Sequence, residues 1–472
     1  MKEYCGVFGI SSSPDAAHDI LYGLLALQHR GQESAGISTF SDSMKTHVGM
    51  GLVNQIFNAE KLTQLKGSIG VGHLRYSTAG SSVIENAQPL EFESDRYKIA
   101  IGFNGNIPNY QILVNVLSKD YQFKCSTDAE ALGILFLRAL DRTNDIIEAS
   151  KEILTNIPAA YSIVMLVYDK LKKKPYVVGI RDRFGLRPLC IGEREGNYVI
   201  ASESVALDAV GANLISDVEP GSVEIISGSE RISKKLVESK KAHCMFEFVY
   251  FSRPDSILEG KSVYDVRIKL GKNLVKAFNS NAQVVVPVPD TSRPAAEGIS
   301  ELTDIPVAEG LMKNRYIGRT FIMPEQKSRE DAVKTKLNPV KSVLKDKNIV
   351  LIDDSVVRGT TTKKIVKLVK NAGANNVDVW ITCPPIISPC FYGIDMKSHS
   401  ELIAANNSVE EIREIMGADN LNYQTIEGLN DAIGIDGLCT GCLTGVYPTE
   451  EAQKLADKMK EQMGLMAKKF WK

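Results

Sequence analysis

The sequence predicts a chain in two halves, an α+β half of short strands followed by an α/β half built on a parallel sheet. Three observations carry this. Residues 1–240 hold short β-like runs broken by glycine and interrupted by two helical patterns. In residues 241–472, apolar strands alternate with helical stretches, as strand–helix–strand units do. The chain's 472 residues also exceed one ordinary core, so two to three domains are expected.

In chain order, Gly6–Ile10, Gly70–His73, Ile99–Phe103, Tyr161–Tyr168 and Tyr176–Ile180 are apolar runs of strand length. Asp15–His29 places Ile20, Leu21, Leu24, Leu25 and Leu27 on a helix that Gly31 stops, and Asp128–Leu140 is the second helix. Lys234–Lys241, polar and charged, reads as the linker. Beyond it, strands Val284–Val288, Ile349–Ile352 and Val377–Thr382 alternate with helices Val263–Phe278 and Thr362–Asn371. Residues 313–347 carry ten Lys or Arg against four Asp or Glu. On charge alone that segment is a solvated basic loop; beside an anion site it is a loop that closes. Thr449–Lys472 reads as an amphipathic surface helix without an assigned function.

Composition narrows the function classes. A net charge of −1 argues against a general nucleic-acid or anionic-membrane binder. No apolar run approaches the ~18 residues of a membrane span. Ser11–Asp15 interrupts any apolar stretch after Met1, so no signal peptide is read and a cytoplasmic enzyme is expected. The eight cysteines then read as catalytic, metal-binding or buried rather than as a disulfide scaffold.

The richest segment is 349–362, Ile-Val-Leu-Ile-Asp-Asp-Ser-Val-Val-Arg-Gly-Thr-Thr-Thr. An apolar strand ends in two carboxylates, and a hydroxyl-rich turn leads into a helix. Asp353 and Asp354 stand where they can accept from a ribose diol and hold a divalent cation. Arg358 to Thr362 offer hydroxyls and N–H groups at a helix N-terminus, which suits a phosphate. An ordinary strand–turn–helix with a polar tip is the plainer alternative, though ligands favour the carboxyl ends of parallel strands.

Cys5 precedes the apolar run Gly6–Ile10, and alone it would read as a small buried side chain. Four further segments accompany it: Leu-Gln-His-Arg-Gly-Gln-Glu-Ser-Ala-Gly at 27–36, His-Leu-Arg-Tyr-Ser-Thr at 73–78, Gly-Phe-Asn-Gly-Asn at 102–106 and Ser-Thr-Asp-Ala-Glu at 126–130. Together they resemble the class II glutamine amidotransferases of the N-terminal-nucleophile type, over about the first 240 residues. The resemblance implies an αββα sandwich with Cys5 as nucleophile and its freed α-amine as base. It also implies an oxyanion hole from Asn104 and the Gly105 N–H, with Arg75 on the glutamine α-carboxylate and Asp128 on its α-ammonium. Taken singly, Arg75 and Asp128 read as a surface ion pair. His29 and His73 stand near these motifs, but packing is their stronger reading. Because Met1-Lys2-Glu3-Tyr4 precedes Cys5, removal of residues 1–4 as a propeptide is expected.

Residues 284–298, Val-Val-Val-Pro-Val-Pro-Asp-Thr-Ser-Arg-Pro-Ala-Ala-Glu-Gly, add a second strand with a polar turn. With 349–362 they resemble a type I phosphoribosyltransferase domain, a parallel α/β sheet that binds 5-phosphoribosyl 1-pyrophosphate (PRPP) with Mg²⁺. The resemblance places the 5′-phosphate on Ser355, Arg358, Gly359, Thr360, Thr361 and Thr362, the ribose hydroxyls on Asp353 and Asp354, and the pyrophosphate near Asp290–Ser292. Mg²⁺ falls to Thr291, Asp353 and Asp354. Asp290 alone could equally cap a helix. Lys313, Arg315 and Arg319 look like a closing loop.

Cys439-Thr-Gly-Cys442, with Cys244 and Cys390 far away in sequence, makes a four-thiol set, and spacing alone fits zinc at least as well as an iron–sulfur cluster. The contexts Cys-Met-Phe-Glu-Phe-Val-Tyr-Phe-Ser-Arg-Pro-Asp-Ser at 244 and Ser-Pro-Cys-Phe-Tyr-Gly-Ile-Asp at 388 resemble the cluster-bearing branch of the amidophosphoribosyltransferases, which implies a structural [4Fe–4S] cluster. Cys125, Cys190 and Cys383 read as buried or incidental.

With domains at 5–240 and 241–472, the whole chain resembles that family. The implied reaction is glutamine + PRPP + water → 5-phosphoribosylamine + glutamate + pyrophosphate, the opening step of de novo purine synthesis. Ammonia would pass through a closed passage formed when the basic loop shuts. Purine nucleotide feedback inhibitors and a homo-oligomer, dimer or tetramer, are implied as well. Two rivals are weaker. A hexosephosphate aminotransferase would lack the 349–362 segment. A non-catalytic PRPP-sensing regulator that binds DNA would carry a basic helix-turn-helix-like domain.

Overall fold

The computed structural model describes residues 5–76, 81–108, 110–314 and 337–470, with side chains described through 462. The expected propeptide, residues 1–4, and Arg315 and Arg319 lie outside the described residues.

The first half is a two-sheet sandwich. One sheet runs, in spatial order, Asn213–Asp217, Cys190–Arg194, Asn197–Ala201, Gly6–Ile10, Ile69–Arg75, Ser34–Phe40 and Met44–Met50. The other runs Glu230–Lys235, Ser222–Ser227, Lys174–Arg181, Ala160–Asp169, Tyr97–Asn106 and Leu90–Glu93. Val7, Val71, Ala100, Val164, Leu166 and Val177 fill the space between the sheets. Helix Ala16–Ala26 covers the first sheet and helix Asp128–Thr143 the second, which completes the αββα layering. Strand Gly6–Ile10 is buried at every position because both its faces pack, so it reads as a continuous apolar run rather than an alternation. It lies between two partners, with Val7 in register with His73 and Phe8 with Ala201. Cys5 is thereby fixed at the entry to a central strand.

The second half holds a four-stranded parallel sheet in the order Val284–Pro287, Asn348–Asp353, Asn376–Ile381, Asn420–Tyr423. Helices Val263–Ala277 and Arg293–Thr303 cross closely beside it. A Cβ at Gly271 would meet the Ala295 carbonyl oxygen at 2.0 Å, and one at Gly298 would meet that of Ile268 at 2.1 Å. Glycine at both positions is what lets the two backbones touch.

Three expectations are corrected. Lys234–Lys241 is not all linker, because strand Glu230–Lys235 pairs with Ser222–Ser227 before the chain leaves the sandwich. The helix after Asp290 begins at Arg293 with Ser292 in the cap position, so Asp290 does not cap it. The C-terminal helix, Glu450–Phe470, is more than a surface element: Ala452 and Ala456 are buried against Phe184 and Leu186 of the first half and Tyr392 and Tyr447 of the second. Among the described residues, no helix is long and apolar enough to cross a membrane.

Candidate functional site

Cys5 is buried, and its sulfur meets both backbone groups of Tyr76: the Tyr76 N–H donates to Sγ at 3.4 Å, and the thiol reaches the Tyr76 carbonyl at 3.5 Å. Burial pushes its pKa up, while the Tyr76 backbone, Arg75 and Arg187 oppose that rise. The thiol is therefore not ionised in advance and needs a base to act as a nucleophile. Asn104 and Gly105 lie near the end of strand Tyr97–Asn106. Asn104 has no exposed surface, yet neither its Nδ2 nor its Oδ1 has a partner among the described residues. A buried amide left unpaired costs about 1–3 kcal/mol.

Asp128 begins the helix Asp128–Thr143 and accepts the Ile107 N–H at 2.9 Å. Burial lifts its pKa to about 6, against the pull of those backbone N–H groups and of Arg75. Arg75 is buried, pairs with Glu33 and also donates to the Ser81 carbonyl. His73 is neutral and structural. Burial lowers its pKa to about 3, and its Nε2 lies 3.0 Å from the Phe103 carbonyl on the facing sheet.

In the second half the carboxylates stand at the end of strand Asn348–Asp353, as expected. Burial raises the pKa of both, and for Asp353 the neighbouring Asp354 charge adds to the rise. Asp354 accepts the Thr291 hydroxyl at 2.5 Å and the Ser355 hydroxyl at 2.5 Å. Gly359, at φ +71°, turns the chain into helix Thr360–Asn371, so the helix starts two residues before the predicted Thr362. Asp353 to Thr362 line one side of a cleft of about 220 Å³, completed by Tyr250, Val288 and Asp395. Arg358 pairs with Glu401 at its rim. Lys313 lies on the short strand Leu311–Lys313 rather than in an open loop, and it bonds Asp290 at 2.5 Å. Burial works against the Asp290 carboxylate, but Lys313 and Arg293 outweigh it and hold its pKa down.

A second cavity shares Tyr250, Val288, Asp353 and Asp354 with this cleft and extends to Asp290, Thr291 and Lys313. Two residues line it that sequence reasoning missed in this role, Arg267 and His29. His29 comes from the amidotransferase-like half. Its Nε2 lies 2.7 Å from Glu203, and its side chain lines this second cavity. Glu203 also accepts from Arg30, the Ser256 hydroxyl and the Arg253 N–H. Arg30 in turn bonds Glu247 at 2.8 and 3.0 Å, so a buried ionic chain crosses between the halves. No periodicity or motif announced that chain.

The four distant cysteines converge. Cys244 and Cys439 are paired residues of a short parallel bridge, and the Cys442 carbonyl accepts from the backbones of Ile387 and Ser388, close to Cys390. All four line one apolar pocket with Leu186, Arg187, Met245 and Tyr447. Burial raises every one of these thiols, Cys244 to about 12, and thiolate repulsion adds to the rise for each except Cys390. Among the described residues, no group of three His, Cys, Asp or Glu side chains is arranged to hold a metal ion. Cys190 and Cys383 are buried, as expected; Cys125 is only partly so, and its thiol donates to the Glu85 carbonyl at 2.9 Å.

Comparison with known proteins identifies both halves. Residues 58–225 match a glutamine amidotransferase domain and residues 254–386 a phosphoribosyl transferase domain. The amidophosphoribosyltransferase of Methanothermobacter thermautotrophicus is 48% identical over 95% of this chain and 95% of its own length. That of Methanocaldococcus jannaschii is 47% identical over 94% of this chain and 98% of its own. The solved structure of glutamine PRPP amidotransferase from B. subtilis, complexed with ADP and GMP, superposes with a TM-score of 0.87 at 42% identity, covering 95% of this chain and 98% of that one. With a glutaminase half and a phosphoribosyl acceptor half in one polypeptide, the chain belongs to the amidophosphoribosyltransferases, the enzymes of the first step of purine biosynthesis.

Proposed function

We propose that Cys5, freed of residues 1–4, attacks the amide carbon of glutamine, with its own α-amine taking the thiol proton. Asn104 Nδ2 and the Gly105 N–H donate to the oxyanion, Asp128 holds the α-ammonium and Arg75 the α-carboxylate. Ammonia leaves, and water hydrolyses the thioester to glutamate. At the second site the PRPP 5-phosphate rests on Ser355, Arg358, Gly359, Thr360 and Thr361 at the helix N-terminus. Asp353 and Asp354 accept from the ribose hydroxyls, and Lys313 and Arg315 attend the diphosphate. Ammonia bonds to C1 as the diphosphate departs with the C1–O electron pair, giving 5-phosphoribosylamine.

The observation that carries this reading is a buried cysteine linked through Arg30 to the wall of a cleft that ends in a carboxylate pair and a helix N-terminus, together with a buried Asn104 amide that has no partner among the described residues. The raised pKa values of Asp353 and Asp354 suit a cation, because two buried neighbouring carboxylates repel. Mg²⁺ would be held by Thr291, Asp353 and Asp354 with substrate oxygens, and it would neutralise charge on the diphosphate. Cys244, Cys390, Cys439 and Cys442 are the donor set for a structural [4Fe–4S] cluster, which would supply the positive centre that four buried thiolates need. We take the domains as 5–240 and 241–472, the enzyme as a cytoplasmic homo-oligomer, and purine nucleotides, by analogy with the ADP and GMP of the B. subtilis structure, as inhibitors.

Glutaminase activity measured with and without PRPP tests the reading, with stimulation expected. Mass spectrometry of active enzyme should find Cys5 at the N-terminus; a stable, active enzyme still carrying Lys2 would overturn the propeptide. Anaerobic protein should hold iron and acid-labile sulfide, and stoichiometric zinc without sulfide would overturn the cluster.

A further inference from the structure

Arg267 lies on helix Val263–Ala277, which carries none of the motifs above, and its side chain is 2% exposed. Its Nε donates to the Phe248 carbonyl at 2.9 Å and one terminal nitrogen donates to the Ser252 carbonyl at 2.8 Å. These two bonds pin the helical turn Glu247–Phe251, whose Tyr250 lines both cavities. The other terminal nitrogen, Nη1, is buried and has no partner among the described residues. Arg267 also lines the cavity that holds Asp290, Thr291, Asp353 and Asp354.

A guanidinium used only to pin two carbonyls would not need a third, orphaned donor. Leaving a charged donor dry and unpaired costs more than the ~1–3 kcal/mol of a neutral one. Asp354, whose carboxylate Arg267 stabilises through space, is already hydrogen-bonded to Thr291 and Ser355. An anion entering this cavity would find one fixed, poorly hydrated cation already oriented. Arginine is the side chain suited to that task, because its planar fork stays charged when buried.

We infer that Arg267 is a substrate-binding residue for PRPP, donating from Nη1 to the diphosphate group. This rests on the reading of the second site given above. The guanidinium is in place before substrate arrives and faces the diphosphate as it takes the electron pair of the C1–O bond. Stabilisation of that kind needs no rearrangement during the reaction.

The test compares two probes by calorimetry on the full-length enzyme: magnesium pyrophosphate, which would reach Arg267, and ribose 5-phosphate, which would occupy only the Ser355–Thr362 turn. In Arg267→Gln, pyrophosphate affinity should fall roughly ten- to a hundredfold, as for loss of a hydrogen bond to a charged group. Ribose 5-phosphate affinity should stay within about threefold, and Arg267→Lys should recover part of the loss. Equal weakening of both probes, or no weakening of either, would overturn the inference, because a purely structural role disturbs the shared wall without distinguishing them. Wild-type enzyme that bound neither probe would overturn the underlying site reading itself, and the inference with it.

Discussion

The Arg30 Nε–H donates to the Cys5 carbonyl at 3.1 Å, while the same guanidinium is held by Glu203 and Glu247. The backbone of Cys5 is thus tied, through one buried cation, to the turn whose Tyr250 lines the second-half cleft. Replacing Arg30 with methionine should destabilise the protein by about 3–5 kcal/mol, because it strands two buried carboxylates. Burial works against ionised Glu203, yet His29 and Arg30 hold its pKa well below its ordinary 4.5. Its pairing therefore contributes fully above pH 4.5 and fades as the pH falls below that value. Thermal melts from pH 7 to pH 3 should show that loss in wild type, and less of it in Arg30→Met.

Asn104→Ala separates function from stability. The Asn104 amide makes no hydrogen bond among the described residues, so its removal should leave the melting temperature unchanged or slightly raised. Glutamine-dependent turnover should fall by ~10²–10³ if that amide is an oxyanion donor. Activity with ammonium chloride should persist.

The pH profile follows from Asp128. Its folded pKa of about 6 means that it is protonated below that pH and cannot pair with an ammonium group. The kcat/KM for glutamine should drop as pH falls through about 6, whereas the ammonia-dependent rate, corrected for ammonia ionisation, should lack that limb. Asp128→Asn should remove the limb at the expense of a high KM.

The Asp353–Asp354 pair predicts a trade of stability for function. Burial, and for Asp353 the charge of its neighbour, raise both pKa values, so the ionised pair strains the apo protein. Asp353→Asn should raise the melting temperature by a few degrees without magnesium, yet abolish use of PRPP. Melting curves with and without magnesium, alongside a phosphoribosylamine assay, check both effects.

Much of the fold was legible because burial on both faces leaves a plain mark. Gly6–Ile10, and Ile349–Ile352 up to its terminal aspartates, read as apolar runs bounded by polar turns, and the structure extends them by at most a residue or two. Helix starts were harder. At Gly359 a left-handed residue begins the helix two positions early, and three consecutive threonines carry no period to show it. Cys439 and Cys442 announced each other by spacing. Cys244 and Cys390 joined them only through the resemblance of their contexts, and the two-residue bridge that brings Cys244 to Cys439, across almost two hundred positions, left no mark in the sequence. Arg267 and Glu203 were illegible for a different reason. A charged residue in an amphipathic stretch reads as solvated surface until packing buries it, and only the fold reveals which carbonyls and carboxylates surround it.

The central claim is that one chain makes ammonia at Cys5 and consumes it at Asp353 and Asp354. The most direct measurement is phosphoribosylamine formation by Cys5→Ala, assayed in parallel with glutamine and with ammonium chloride. The account predicts no product from glutamine and near wild-type product from ammonium at saturating PRPP. Continued turnover of glutamine by Cys5→Ala, or loss of both activities in a protein that still melts cooperatively and binds PRPP, would contradict it.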